Sequence, residues 1–286
     1  MSTLSRKIDF AVIISVSNAN PNGDPLNGNR PRENYEGFGE ISDVCIKRKI
    51  RNRFQDMGEK IFVQSDDRAD DGYKSLKERA DGCTTLKEEI GKKKNANREK
   101  CIAIACKEWI DVRTFGQVFA FKGSEVSLGI RGPVSIHQAV SVSPVDIISM
   151  QITKSVNSEP GKESKASDTM GMKHRVEFGL YMIKGSINCQ LAEKTGFTDE
   201  DAEKLKEALK TLFENDASSA RPDGSMEVCK VYWWKHSSKT PAISSAKVHR
   251  SLKITQKTEK TPKSIDDYEI SLVKLDGTEV EVYEHI

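Results

Sequence analysis

Ile8, Phe10, Val12, Ile14 and Val16 alternate with Asp9, Ala11, Ile13 and Ser15. This two-residue period predicts a half-buried strand. Val134, Ile136, Val140 and Val142, set against Ser135, His137, Ala139 and Ser141, predict a second strand. Val176, Phe178, Leu180 and Met182 predict a third, and "MEVCKVYWW" over 226–234 a fourth. Helical spacing appears at Ile46, Ile50, Phe54 and Met57, with Ser42 placed as N-cap and Asp43 in the first turn. It returns at Ala202, Leu205, Leu209, Leu212 and Phe213 behind a Thr198 cap. Asp276-Gly277, near the end of the chain, signals a hairpin turn.

Four polar stretches separate these elements. Residues 18–40 are punctuated by Asn-Pro, Asn-Gly, Asp-Pro and Arg-Pro, which predicts a long loop. Residues 65–100 are rich in Lys, Glu, Asp and Gly and read as a charged, partly helical insertion. Residues 153–172 form a polar excursion, and 240–265 look like a linker. With the insertions removed, the order is strand, helix, strands, helix, strand. That is an α+β chain on the β-α-β-β-α-β ferredoxin-like plan, the architecture of RNA-recognition motifs.

A length of 286 residues suits one large domain with insertions or two small ones. The net charge of +2 excludes a uniformly basic protein but not a basic groove. No apolar run approaches the roughly 18 residues of a membrane span, and the N-terminus lacks a signal-peptide layout. Cys45, Cys83, Cys101, Cys106, Cys189 and Cys229 are scattered without a C-x-x-C pair, so free thiols in the cytoplasm are expected and a zinc site is not.

The chemistry concentrates in the first helix. Lys47, Arg48, Lys49, Arg51 and Arg53 put five cations in seven residues, with Asp43 the only acid before Asp56. Lys47 and Arg51 are four apart and share a face, so the pair could hold two neighbouring phosphates. The bland alternative is a solvated helix face. The preceding loop, with Asn20, Asn22, Arg30 and Arg32, could bring backbone N–H groups close to an anion, or could be turn chemistry alone. Arg131 and Gln138 bracket a strand polar enough to meet RNA. In "DTMGMKHR", Met170 and Met172 either tuck into the core or wedge between bases while Lys173 and His174 hold the backbone. No P-loop or G-x-S-x-G string occurs, and the five histidines lack zinc spacing. Asp24 and Asp43 remain as outside candidates for a metal-dependent nuclease.

Together "NPNGDP", "SDVCIKRKIRNRF", "DVRTFGQV", "RGPVSIHQAVSVSPV", "TMGMKHRVEFGLY" and "LAEKTGFTDED" resemble the Cas-seven-type backbone subunit of type I CRISPR Cascade, most like subtype I-C. The resemblance implies a modified RNA-recognition-motif palm with finger-like and thumb-like insertions. It implies a single backbone subunit over 1–286, with the thumb at 145–175. Such subunits are expected to be non-catalytic and cofactor-free, and to stack head to tail along the spacer of the CRISPR RNA. The thumb of one copy displaces a base at intervals and leaves the others free to pair with target DNA. On this chain Lys47 and Arg51 become the phosphate clamp, beside Ser42 and Arg48. Met170 or Met172 becomes the wedge, and Arg113 and Arg131 become further backbone contacts. The implied partners are CRISPR RNA, target DNA through the guide, further copies of itself, the large, small and processing subunits, and a recruited helicase-nuclease. No membrane is implied. The aromatic RNP string of ordinary RNA-recognition motifs is absent, which suits binding without base readout. Two alternatives stay open: a metal-dependent RNase of the related type III backbone class, and a ferredoxin-like interaction module with no nucleic acid.

Overall fold

The computed structural model describes residues 2–121, 127–154 and 170–284. β1 (Ile8–Ala19) is followed by a loop holding the short pair β2 (Gly23–Asp24) and β3 (Arg30–Pro31), then by β4 (Phe38–Ile41) and α1 (Asp43–Asp56). Next come α2 (Leu76–Gly82), α3 (Thr84–Gly91), α4 (Arg98–Glu108), α5 (Ile110–Phe115) and the pair β5 (Gly116–Phe119) and β6 (Leu128–Arg131). β7 (Val134–Ile136), β8 (Ala139–Pro144), β9 (Ile147–Thr153) and β10 (Met170–Ile187) return to the main sheet. After them lie α6 (Cys189–Thr195), α7 (Asp199–Lys210), β11 (Met226–His236), α8 (Ser245–Ser251), β12 (Leu252–Gln256), β13 (Tyr268–Leu272) and β14 (Thr278–Glu284).

The sheet runs β14-β11-β1-β10-β8-β4, and its pairings are antiparallel. The four inner strands, β11-β1-β10-β8, interleave two β-α-β units. β1 passes through α1 to β8 across β10, and β10 passes through α7 to β11 across β1. This is the ferredoxin-like plan expected from the sequence. Ile46, Ile50 and Phe54 of α1 pack with Leu205 and Leu209 of α7 on one face, against Phe10, Val12 and Ile14 of β1. The other face, with Ala11, Ile13 and Leu180, is covered by Val248, Leu252 and Tyr268 from α8, β12 and β13. A third core gathers Phe62, Leu86, Cys101, Ala105, Trp109 and Phe119 among α3, α4 and β5. The charged stretch 65–100 thus supplies helices that pack onto this core.

Four expectations differ from the structure. β1, expected to be half-buried, is buried on both faces from Ile8 to Ile14 because a second layer covers Ala11 and Ile13. The strand expected over 134–142 is two, because the chain breaks at His137-Gln138, where the His137 N–H donates to the Lys184 carbonyl (2.9 Å). Across that break the inward parity changes: Ala139 turns to the helix-side core, whereas Val142 packs into the second core. Asp276-Gly277 does turn, with Gly277 at φ +83°, but it makes no hairpin. β13 pairs with β12, and β14 joins the main sheet beside β11. Finally, the stretch read as a linker, 240–265, contains α8 and β12.

One buried polar cluster ties both ends of this sheet region. The Asp9 carboxylate and the His236 ring, both fully buried, lie 2.6 Å apart across β1 and β11. Lys7 Nζ reaches both Asp9 oxygens (3.3 Å each) and Ser245 at the start of α8. Burial raises the Asp9 carboxyl, but the His236 and Ser245 hydrogen bonds and the Lys7 charge outweigh it and hold it below its ordinary value. A depressed carboxylate stabilises the fold above its unfolded-state value, about 4, and that contribution disappears as pH falls through the folded value. Asp9→Ala, which strands a buried histidine and lysine, is expected to cost about 3–5 kcal/mol in urea unfolding at pH 7. Asp9→Asn should flatten the loss of stability below about pH 4. An unaltered acid limb in that variant would contradict the role given to this carboxylate.

Candidate nucleic-acid interface

The cationic helix finds its missing acids elsewhere in the fold. Lys47 pairs with Asp43 one turn back (2.9 Å) at a partly exposed position. Arg51 turns inward: its Nε donates to Asp111 Oδ2 (3.0 Å), and its guanidinium lies 5.0 Å from the Phe115 ring centre. Asp111 also accepts the backbone N–H groups of Phe62 (2.8 Å) and Val63 (3.0 Å). Arg48 donates to the Val63 carbonyl (2.6 Å). Lys49 is buried on Asp216, and Arg53 bonds Thr211 (3.1 Å), Asp56 (3.0 Å) and Glu214 (3.0 Å). Sequence spacing placed Lys47 and Arg51 on one face. Both are partly buried, but Lys47 pairs with a partly exposed acid of its own helix and Arg51 with the buried Asp111.

The loop before α1 is bound to the helix. Ser42 caps α1 by accepting from the Cys45 N–H (3.3 Å), and its own N–H and hydroxyl both donate to Asn22 Oδ1 (2.9 Å each). Asn20 is buried and donates to the Asn29 carbonyl (2.6 Å). Arg32 donates to Asp24 Oδ1 (3.3 Å), which also accepts the Leu26 N–H (3.2 Å). Gly28 and Asn29 both take left-handed backbone (φ +58° and +59°), and Arg30 follows this turn, its Nε 3.7 Å from Glu33 of the same loop.

Arg30 meets the ribbon made by β9 and the outer half of β10. Its guanidinium donates to Ser149 Oγ (3.1 Å), and Ser149 Oγ lies 2.8 Å from His174 Nδ1. The register pairs Met172 with Gln151 and His174 with Ser149, so Met170, Met172 and His174 share one ribbon face. Lys173 sits on the other, opposite Met150. Met170 and Met172 are more than half exposed, and Leu26 and Tyr35 stand fully exposed on the neighbouring loop. The tip of the expected thumb, 155–169, lies outside the described residues. The Arg30–Ser149–His174 junction was missed by sequence reasoning. Its signal was the period-two run "IISMQIT", a partner for "MGMKHRV".

The remaining candidates scatter. Arg113 makes a bidentate pair with Asp201 (2.9 and 2.7 Å), the capping-box acid of α7. Gln138 donates to Glu40 (3.1 Å), and Arg131 is exposed on β6 without an ion-pair partner among the described residues. Asp24 and Asp43 each hold a cation, and among the described residues no group of three His, Cys, Asp or Glu could hold a metal ion. These placements separate two kinds of cation. Lys47→Ala is expected to change stability by about 0.5 kcal/mol, as for an i,i+4 helix pair near the surface. Arg51→Ala, which leaves the buried Asp111 short of its charge partner, should cost about 3 kcal/mol or more. Thermal and urea unfolding of the two variants compare them directly. Equal costs would mean that the two side chains are equivalent.

A family model described as CRISPR-associated protein Cas7 matches residues 6–273. A CRISPR-associated protein Cas7 from Haloferax volcanii is 25% identical over 239 residues, covering 77% of this chain and 67% of its own. A chain of a CRISPR RNA-guided surveillance complex, pre-nicking, superposes with TM-score 0.51 at 15% identity, covering 83% of this chain and 80% of its own, which shows a shared fold. With the match extending over nearly the whole length, the chain belongs to the CRISPR-associated Cas7 family.

Proposed function

We propose that this protein is a non-catalytic subunit of a type I CRISPR surveillance complex, of subtype I-C, that binds CRISPR RNA along its spacer. It holds the strand by phosphate contacts without reading sequence and leaves bases free to pair with target DNA. Copies stack head to tail in the cytoplasm, beside large, small and processing subunits, and the assembly recruits a helicase-nuclease. The reading rests on one observation above the others: the junction at which Arg30, Ser149 and His174 join the loop of α1 to the β9–β10 ribbon. Arg30 and His174 stand there beside the exposed Met170 and Met172. Arg30, His174 and Lys47 would meet phosphates, while Met170 and Met172 would press against bases as the ribbon acts as the thumb. Arg51 and Arg113 then serve by fixing α1 and α7 rather than by touching RNA.

Phosphate contacts predict salt dependence. Arg30→Ala combined with His174→Ala is expected to weaken retention of co-expressed CRISPR RNA by about tenfold, the scale of one or two charge-assisted bonds. The loss should grow between about 50 and 200 mM salt. Filter binding with the purified protein reads both. Undiminished retention by the double variant would remove the junction from the interface. Cleavage of the RNA in magnesium, abolished by Asp24→Ala or Asp43→Ala, would replace this reading with a nuclease.

A further inference from the structure

The break between β7 and β8 opens a groove on the sheet face opposite α1 and α7. Because parity changes there, Val140 and Val142 leave the helix-side core and join Met182 and Ile254 in flooring a groove of about 570 Å³. This lies within the roughly 300–1,000 Å³ of small-molecule pockets. Lys184 and His137 stand on its walls, and no carboxylate lines it. Lys184 has no ion-pair partner among the described residues, in contrast to the cations of α1. The exposed His137 ring leans edge-on against the buried His249 ring, 5.9 Å away. His249 Nε2 bonds the Gly185 carbonyl (3.1 Å), which fixes this second ring behind the first. Gln138, at the rim, donates to Glu40 (3.1 Å).

An aliphatic floor beneath an unpaired ammonium and an imidazole suits apolar contact with a base on the floor and a phosphate on the wall. We propose that this groove is a second binding site for single-stranded nucleic acid, with Lys184 and His137 on phosphate and Met182 and Val142 against a base. The inference rests on the reading that the protein serves in a nucleic-acid complex, but it uses a different face of the sheet.

The test uses the full chain and a fluorescein-labelled 12-nucleotide oligothymidylate, with anisotropy read across salt concentrations. Lys184→Glu is expected to weaken binding about tenfold and to lower the salt slope by about 0.7, the share of one single-strand phosphate contact. Lys184→Gln should give a smaller loss in the same direction, which separates charge removal from misfolding. Lys253→Glu, on the outward side of β12, makes the same charge change as a control and should have little effect. Unchanged affinity and slope in Lys184→Glu would overturn the proposal. So would a larger loss of binding to labelled polyglutamate than to the oligonucleotide, since the groove would then be a protein-docking site. The two readings fail separately. If the Arg30→Ala, His174→Ala variant loses binding and Lys184→Glu does not, only the groove falls. If the native chain binds no oligonucleotide, both fall.

Discussion

The Asp111 carboxylate is the knot on which the candidate interface depends. It accepts from Arg51 of α1 and from the backbone N–H groups of Phe62 and Val63, and it lies on α5. One side chain therefore fastens α1, the bend at Phe62-Val63 and the helical insertion. Burying a guanidinium against a carboxylate is tolerable only where further donors complete the carboxylate's hydrogen bonds, as they do here. With α1 fixed, Ser42 is fixed, and through Asn22 so is the loop that carries Arg30. The site's geometry descends from the interior outward.

The palm was legible in the sequence because its elements are long and strongly periodic. α1 and α7 each bury one face, β1 and β11 are apolar enough to be buried on both, and their caps and apolar spacing stand within a single window of residues. What escaped was set by distant partners. The five cations of α1 looked free because the acids that answer most of them, Asp111, Asp216 and Glu214, come from far along the chain. Spacing on a helix places a side chain on a face but does not say what packs against that face. Similarly, alternation over 134–142 continued through His137-Gln138 because a break in a strand leaves the composition unchanged while exchanging which residues point inward.

The candidate site divides along the same line. Arg30, Met170, Met172 and His174 were found from local residue type, and the fold brings them to one junction. Arg113, from the same kind of reading, lies instead against Asp201 beneath α7. A positive charge in a recognisable motif marks a position that matters to the fold or to a ligand, and only the tertiary partner separates the two.

β10 carries a consequence of its own. Its inner portion, from Val176, is clamped between neighbours on both sides, while its outer residues 170–175 have β9 as their strand partner. The strand is continuous through the transition, so the ribbon is a cantilever rooted in the most deeply buried part of the sheet. Six residues, 170–175, at about 3.3 Å each give it a reach of roughly 20 Å. In the stacked arrangement proposed above, a beam of set length would impose its own spacing on whatever flexible polymer lies across it.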